Sequence, residues 1–205
     1  MINQVMIGVI VKKEGKEWLR AQGVDLLNDS SDLDALISQV KLCANIQEEE
    51  DLDDYSREDA KRDFYNSLEW SLEAFSDEPD VEDAIKDEYL RKETGEDIID
   101  FLESLIDIFY DLSDADKMGQ GCFIICLSDY NNTLYEAIEH VRYEDYNYMG
   151  DKSYSDIGEE LTEDSGVIDI LKEYNVLYYF DFEAYGKDMM TDYSYLEGYG
   201  YYMFY

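Results

Sequence analysis

Basic residues, proline and histidine are what this chain has least of. Against 51 Asp and Glu stand 16 Lys and Arg, one His and one Pro, for a formal charge of −35. Such a field repels nucleic acid and anionic membranes and attracts strongly basic surfaces. The single histidine, His140, lies on a helical pattern between Glu139 and Val141. A Ser-His-Asp or Cys-His set would have to use that one residue, and no nucleophile motif stands near it, so a structural role is the plainer reading. Cys43, Cys122 and Cys126 make no even disulfide framework and carry no metal-ligand spacing, which points to reduced, buried thiols. No apolar run approaches the roughly 20 residues of a membrane span. The start, MINQVMIGVIVKK, has its charges after the apolar run and no cleavage signature, so no signal peptide is expected. A soluble, cytoplasmic protein follows. GQG at 119–121 reads as preceding a strand and lacks a Walker lysine, which rejects a phosphate loop. Asp114, Asp116 and Gly119 match calcium-loop positions one, three and six, but Met118 and Ile125 at positions five and twelve defeat the match. No metal or cofactor is expected. Nothing argues for an enzyme, since an acid–base pair cannot be singled out among so many carboxylates.

What is present is a globular composition with a patterned charge. The apolar share, 45 %, separates the chain from disordered acidic tails. In Glu93–Asp114, Ile98, Ile99, Leu102, Leu105, Ile106, Phe109 and Leu112 recur at steps of mostly three and four, an apolar stripe at helical period. Glu93, Glu96, Asp100, Glu103, Asp107, Asp111 and Asp114 keep the same period on the other side. Like charges at that spacing oppose helix formation by a few tenths of a kcal/mol per pair, so folding does not explain them. At a rise of about 1.5 Å per residue the ribbon offers one carboxylate per roughly 5 Å. A DNA strand offers one phosphate per roughly 3.4 Å of axis, a density of the same order. A surface imitating a phosphate backbone accounts for the ribbon.

The chain reads as α+β, an elongated multi-domain molecule: a small N-terminal α/β unit over 1–46, an acidic helical domain over 47–118 and a C-terminal α/β domain over 119–205. Val5–Val11 is a strand, followed by a turn at Gly15 and a weaker segment from Trp18 to Leu27. Asn28, Ser30 and Ser31 offer N-caps for a helix over Asp32–Cys43, with Leu33, Leu36, Ile37 and Val40 on its apolar face. This first unit has six acids and five bases and is nearly neutral. The middle has 27 acids and seven bases and no strand signal. It opens on EEEDLDD, and Ser56 with Asp59 resembles a capping box for a helix from Arg57 to about Phe75, burying Phe64, Tyr65, Leu68 and Leu72. Pro79 suits the first turn of a helix over Asp80–Lys92, and Gly95 separates it from the acid-ribbon helix. The last unit, with 18 acids and four bases, holds 16 of the 20 tyrosines from Tyr130 onward. CFIICL at 122–127 is the most strand-like run. Thr133–Arg142 reads as a helix, Tyr143–Tyr154 as a loop, and Ile157–Leu161 and Val167–Tyr174 as short helices. VLYYFDF and YGYYMFY read as strands whose tyrosines supply core or a dimer interface.

The end of the chain carries a resemblance. Tyr179-Phe-Asp-Phe-Glu-Ala-Tyr-Gly-Lys-Asp-Met189 resembles the Y-I-D-[YF]-x-A-Y-G-[RK]-D-[LM] signature of the ArdA-type antirestriction proteins. Asp156-Ile-Gly-Glu-Glu-Leu161 and Ser165-Gly166 are similar to the stretch leading up to that signature, and the aromatic strand ending in Tyr205 is similar in place. The resemblance covers the last third of the chain. The middle matches only as an acidic helical domain, and the N-terminal part lacks the family's Gly-x-Trp element. It implies an elongated homodimer mimicking bent B-form DNA. Such a dimer occupies the DNA-binding groove of type I restriction-modification complexes (specificity and methyltransferase core) and blocks restriction in the host bacterial cell. Carried over, Asp181, Glu183, Tyr185, Gly186, Lys187 and Asp188 hold the signature. Ala184 and Gly186 suggest a tight backbone passage, and Asp181, Glu183 and Asp188 suggest phosphate-like charges or caps. A role in building the C-terminal fold is an equal reading. With the helical ribbon these acids form the expected docking surface. Two other classes compete: a DNA-mimic module for another basic groove, such as a CRISPR effector or a basic DNA-binding protein, and a halophile-type acidic enzyme. The nearly neutral N-terminal unit argues against the last, since solubilising charge spreads over every domain.

Overall fold

The structure, a computed structural model, describes residues 2–46 and 54–204. The acidic run at 48–53 and the Ser56 side chain, on which the capping-box reading rests, lie outside the described residues. The fold is α+β, with nine α-helices and two three-stranded antiparallel sheets among the described residues.

The first sheet has the order β2–β1–β3, from β1 (Val5–Lys13), β2 (Lys16–Asp25) and β3 (Leu68–Ser76). Val5, Ile7, Val9 and Val11 alternate inward on the central strand and are at most 2 % exposed, as one buried face requires. Helix α1 (Ser31–Ile46) lays Leu33, Leu36, Ile37, Val40 and Ala44 against them. Strand β3 corrects the expectation of a middle segment without strands. Helix α2 (Asp54–Asn66) ends well short of Phe75, and LEWSLEAFS pairs with β1 in register from Lys13↔Leu68 to Val5↔Ser76. The signal was present: Leu68, Trp70, Leu72 and Ala74 alternate with Glu69, Ser71 and Glu73, a period of two embedded in helix-forming residues.

Helix α3 (Pro79–Leu90) starts on its proline, and helix α4 (Gly95–Asp114) follows. Thr94 caps α4 in a reciprocal box: its hydroxyl accepts from the Asp97 amide at 3.1 Å, and the Asp97 carboxylate accepts from the Thr94 amide at 3.0 Å. The buried face of α4 is wider than the expected stripe, because Phe101 and Ile108 join Ile99, Leu102, Leu105, Phe109 and Leu112, while Ile98 and Ile106 sit at its margins.

The expected strand CFIICL is instead part of helix α5 (Lys117–Ser128), and GQG lies in its first turns. Every residue from Gly119 to Leu127 is buried. A helix packed on all sides is apolar on all sides, so it shows no period and looks like a buried strand. Asp116 starts it, its carboxylate accepting from the Gly119 amide at 2.8 Å. Gly121 lets a neighbouring strand in: a Cβ there would lie 2.2 Å from the Tyr202 hydroxyl.

Helix α6 (Leu134–Tyr143) carries a second box, Thr133 with Glu136. The expected loop after it contains β4 (Tyr146–Gly150), which joins β5 (Ser194–Leu196) and β6 (Gly200–Phe204) in a sheet of order β4–β6–β5. Helices α7 (Tyr154–Asp164), α8 (Val167–Glu173) and α9 (Phe182–Met189) lie between. VLYYFDF is not a strand: Leu177–Tyr179 is a 3-10 turn, and Asp181 caps α9 through the Ala184 amide at 2.9 Å. One apolar cluster runs from Ile2 to Tyr202, and a smaller one joins Ile157, Met190 and Tyr201. Tyr201 and Tyr202 of β6 and Tyr199 just before it are core, at most 9 % exposed. No helix among the described residues is long and apolar enough to cross a membrane.

Candidate acidic docking surface

Helix α4 holds six of the seven ribbon acids on its solvent side, Glu93 standing just before the Thr94 cap and outside the helix, and its neighbours divide the seven into two files. Glu96 meets Lys61 of α2 at 3.3 Å, Glu103 meets Lys41 of α1 at 2.6 Å, and Asp111 meets Arg142 of α6 at 2.5 Å. Glu93, Asp100, Asp107 and Asp114 are exposed and form no ion pair among the described residues. Within the helix the unpaired file, Asp100, Asp107 and Asp114, advances seven residues at a time, about 10 Å along the axis. Fixed negative charge on this face is therefore half as dense as the sequence spacing suggests. The cause is tertiary: the few cations of α1, α2 and α6 are placed against alternate turns of α4. Lys61 shows the balance, since burial lowers its pKa but the hydrogen bond and charge of Glu96 raise it further, leaving it above the ordinary lysine value.

Two further files escaped the sequence reading. On α3, Asp80, Asp83 and Asp87 are exposed at steps of three and four, lining an open cleft with Arg91, Asn131 and Asn132. On α7, Asp156, Glu159 and Glu163 are exposed at the same steps. The spacing that marked α4 marks these helices too. They are shorter and their apolar stripes weaker, so the pattern does not stand out in an acidic chain.

The signature residues separate by role. Gly186 on α9 faces Gly158 on α7, and the backbones are in contact: a Cβ at Gly186 would lie 1.9 Å from the Tyr154 carbonyl oxygen, and one at Gly158 2.0 Å from that of Phe182. Asp181 is exposed and is engaged as a cap. Glu183, Lys187 and Asp188 are exposed, and Ala184 is exposed instead of lining the passage. Tyr185 is half-buried with its ring 5.6 Å from that of Phe180. The α7 and α9 motifs thus meet because their glycines permit one close crossing, which the α9 acids do not share.

His140 is half-buried, with Nδ1 3.7 Å from the Asp145 carboxylate and its ring 5.2 Å from Phe204. All three cysteines are free; Cys122 and Cys126 are buried one turn apart, and the Cys126 contact together with burial pushes the Cys122 thiol up. Among the described residues no group of three or more His, Cys, Asp or Glu is placed to hold a metal ion. Compared with family models, with curated proteins and with solved structures, the chain matches none.

Proposed function

We propose that this protein is a stoichiometric inhibitor that imitates DNA and occupies the DNA-binding groove of a type I restriction-modification complex, blocking restriction without chemistry of its own. The observation that carries the reading is the exposed, unpaired carboxylate file of α4, repeated in kind by the exposed files of α3 and α7. Among the described residues none of these acids forms an ion pair, so they cost the fold self-repulsion. A basic groove built for phosphates would exchange its counterions for these fixed charges, so affinity should fall steeply with salt. The resemblance of the segment at 179–189 to the antirestriction signature supports a restriction complex as the target, and a homodimer, operating in the cytoplasm of the host cell, would extend the charged face.

The test is a competition. A type I methyltransferase core is held on its labelled recognition duplex, and the protein is titrated in at low and physiological salt. Displacement at near-stoichiometric protein, weakening sharply with salt, is the expected result. A duplex that stays bound at large excess and low salt would overturn the reading for this enzyme class.

A further inference from the structure

Between α8 and α9 the chain exposes aromatic surface that the acid files do not account for. Tyr178 and Tyr179 are 92 % and 82 % exposed, and Ile170, Tyr174 and Val176 beside them are exposed as well. A soluble surface rarely gathers large apolar side chains in this way unless something covers them.

The backbone beneath is held. The Val176 amide donates to the Leu171 carbonyl at 2.9 Å, that of Tyr179 to Val176 at 2.9 Å, and that of Phe180 to Leu177 at 3.2 Å. Phe180 packs edge-on against Phe182 and Tyr185, at 5.0 and 5.6 Å between ring centres. The rings of Tyr178 and Tyr179 stand at 88° to each other, 5.6 Å apart. Two aromatic rings are thus presented on a braced turn, and neither hydroxyl hydrogen-bonds among the described residues.

Charge decides what covers them. From Asp164 to Asp188 there are six acids and two lysines; Asp169, Glu173, Asp181 and Glu183 flank the turn in sequence, all exposed, and Lys172 lines an open cleft with Tyr178. In a two-fold interface a patch faces its own copy, so these carboxylates would oppose one another in a chain already at −35. A basic partner meets no such repulsion. Arginine is the cation that satisfies both features, since its guanidinium stacks on an aromatic face while pairing with a carboxylate.

We propose that Tyr178 and Tyr179 form an aromatic anchor that receives arginine side chains of the partner's DNA-binding groove, supplying short-range contact that the carboxylate files lack. The proposal rests on the inhibitor reading and adds a residue-level anchor to it. Tyrosine and arginine are the residue types in which binding energy concentrates, and a tyrosine ring loses little freedom when it docks.

In the displacement assay above, the test compares wild type, Tyr178→Ala/Tyr179→Ala and Tyr178→Phe/Tyr179→Phe, with mass determined by light scattering. Both side chains are solvent-exposed, so the alanine variant should keep its fold and melting temperature. The expected result is a displacement midpoint at least tenfold weaker for the alanine pair, recovered by the phenylalanine pair, with an unchanged salt slope because no charge is altered. Equal midpoints for wild type and the alanine pair would overturn the anchor while leaving DNA mimicry standing. Conversion of a wild-type dimer to a monomer by the alanine pair would also overturn it, making the turn a self-interface. Failure of the wild type itself to displace the duplex would remove the inhibitor reading and the anchor with it.

Discussion

At Gly186 and Gly158 the protein depends on having no side chain at all. Each glycine sits where a Cβ would come within about 2 Å of a carbonyl oxygen of the other helix, so alanine cannot be absorbed by a rotamer change. Gly186→Ala and Gly158→Ala should each destabilise by about 1–3 kcal/mol or more, seen as a lower urea midpoint. The caps are the other residue-scale feature. Hydrogen bonds from the Thr94 hydroxyl and amide hold the Asp97 carboxyl below its ordinary value, and those from Thr133 do the same for Glu136. A folded-state pKa below the unfolded one contributes stability that is full above the unfolded value and is lost as pH falls through the folded value. Asp97→Asn should therefore lower stability at neutral pH and flatten the loss below about pH 4, measured by thermal melts across pH. Thr94→Ala removes a cap and should cost about 1 kcal/mol at neutral pH, less once acid protonates Asp97, because the lost hydroxyl also donates to that carboxylate. Burial pushes the Tyr199 and Tyr146 phenols up to about 12, as their packing in the C-terminal core requires.

At the scale of the element, α4 shows that spacing and environment are separate properties. Its apolar period and its acids were legible in the sequence, because a helix repeats its neighbours at fixed steps, whereas the Thr94–Asp97 cap was not read and Gly95, expected as a break, is the first helical residue. Which acids remain unpaired was not legible, because Lys41, Lys61 and Arg142 come from other helices. The two files should respond oppositely to neutralisation. Replacing Asp100, Asp107 and Asp114 by asparagine should raise the melting temperature at low salt, since it removes only repulsion. Replacing Glu96, Glu103 and Asp111 by glutamine or asparagine should lower it, by at most about 1 kcal/mol per exposed pair. Both sets change the net charge equally, so equal melting shifts would refute the division. The missed elements have separate causes. The β3 pattern was short and lay inside an acidic, helix-prone stretch, and the α5 pattern was erased by burial on every side.

At the scale of the whole molecule, a charge of −35 on 205 residues makes the ionic atmosphere part of the structure. The Debye length shrinks from about 30 Å at 0.01 M salt to about 8 Å at 0.15 M, so repulsion between the files fades over that range. The melting temperature should rise with sodium chloride across it, whereas displacement of DNA from a basic partner should weaken. The opposite signs distinguish self-repulsion from partner attraction within one protein preparation.

Composition and local period by themselves determined the acidic character, the first strand, the helices around Leu36, Ile85 and Leu105, and the acid pattern of α4, because each follows from chemistry repeated within a few residues. Only the tertiary structure decided that β3 completes the first sheet, that CFIICL is a buried helix and that Leu177–Tyr179 is an exposed turn. It also decided which carboxylates stay unpaired. Those outcomes depend on partners tens of residues away, and a window of sequence contains no record of what will pack against it.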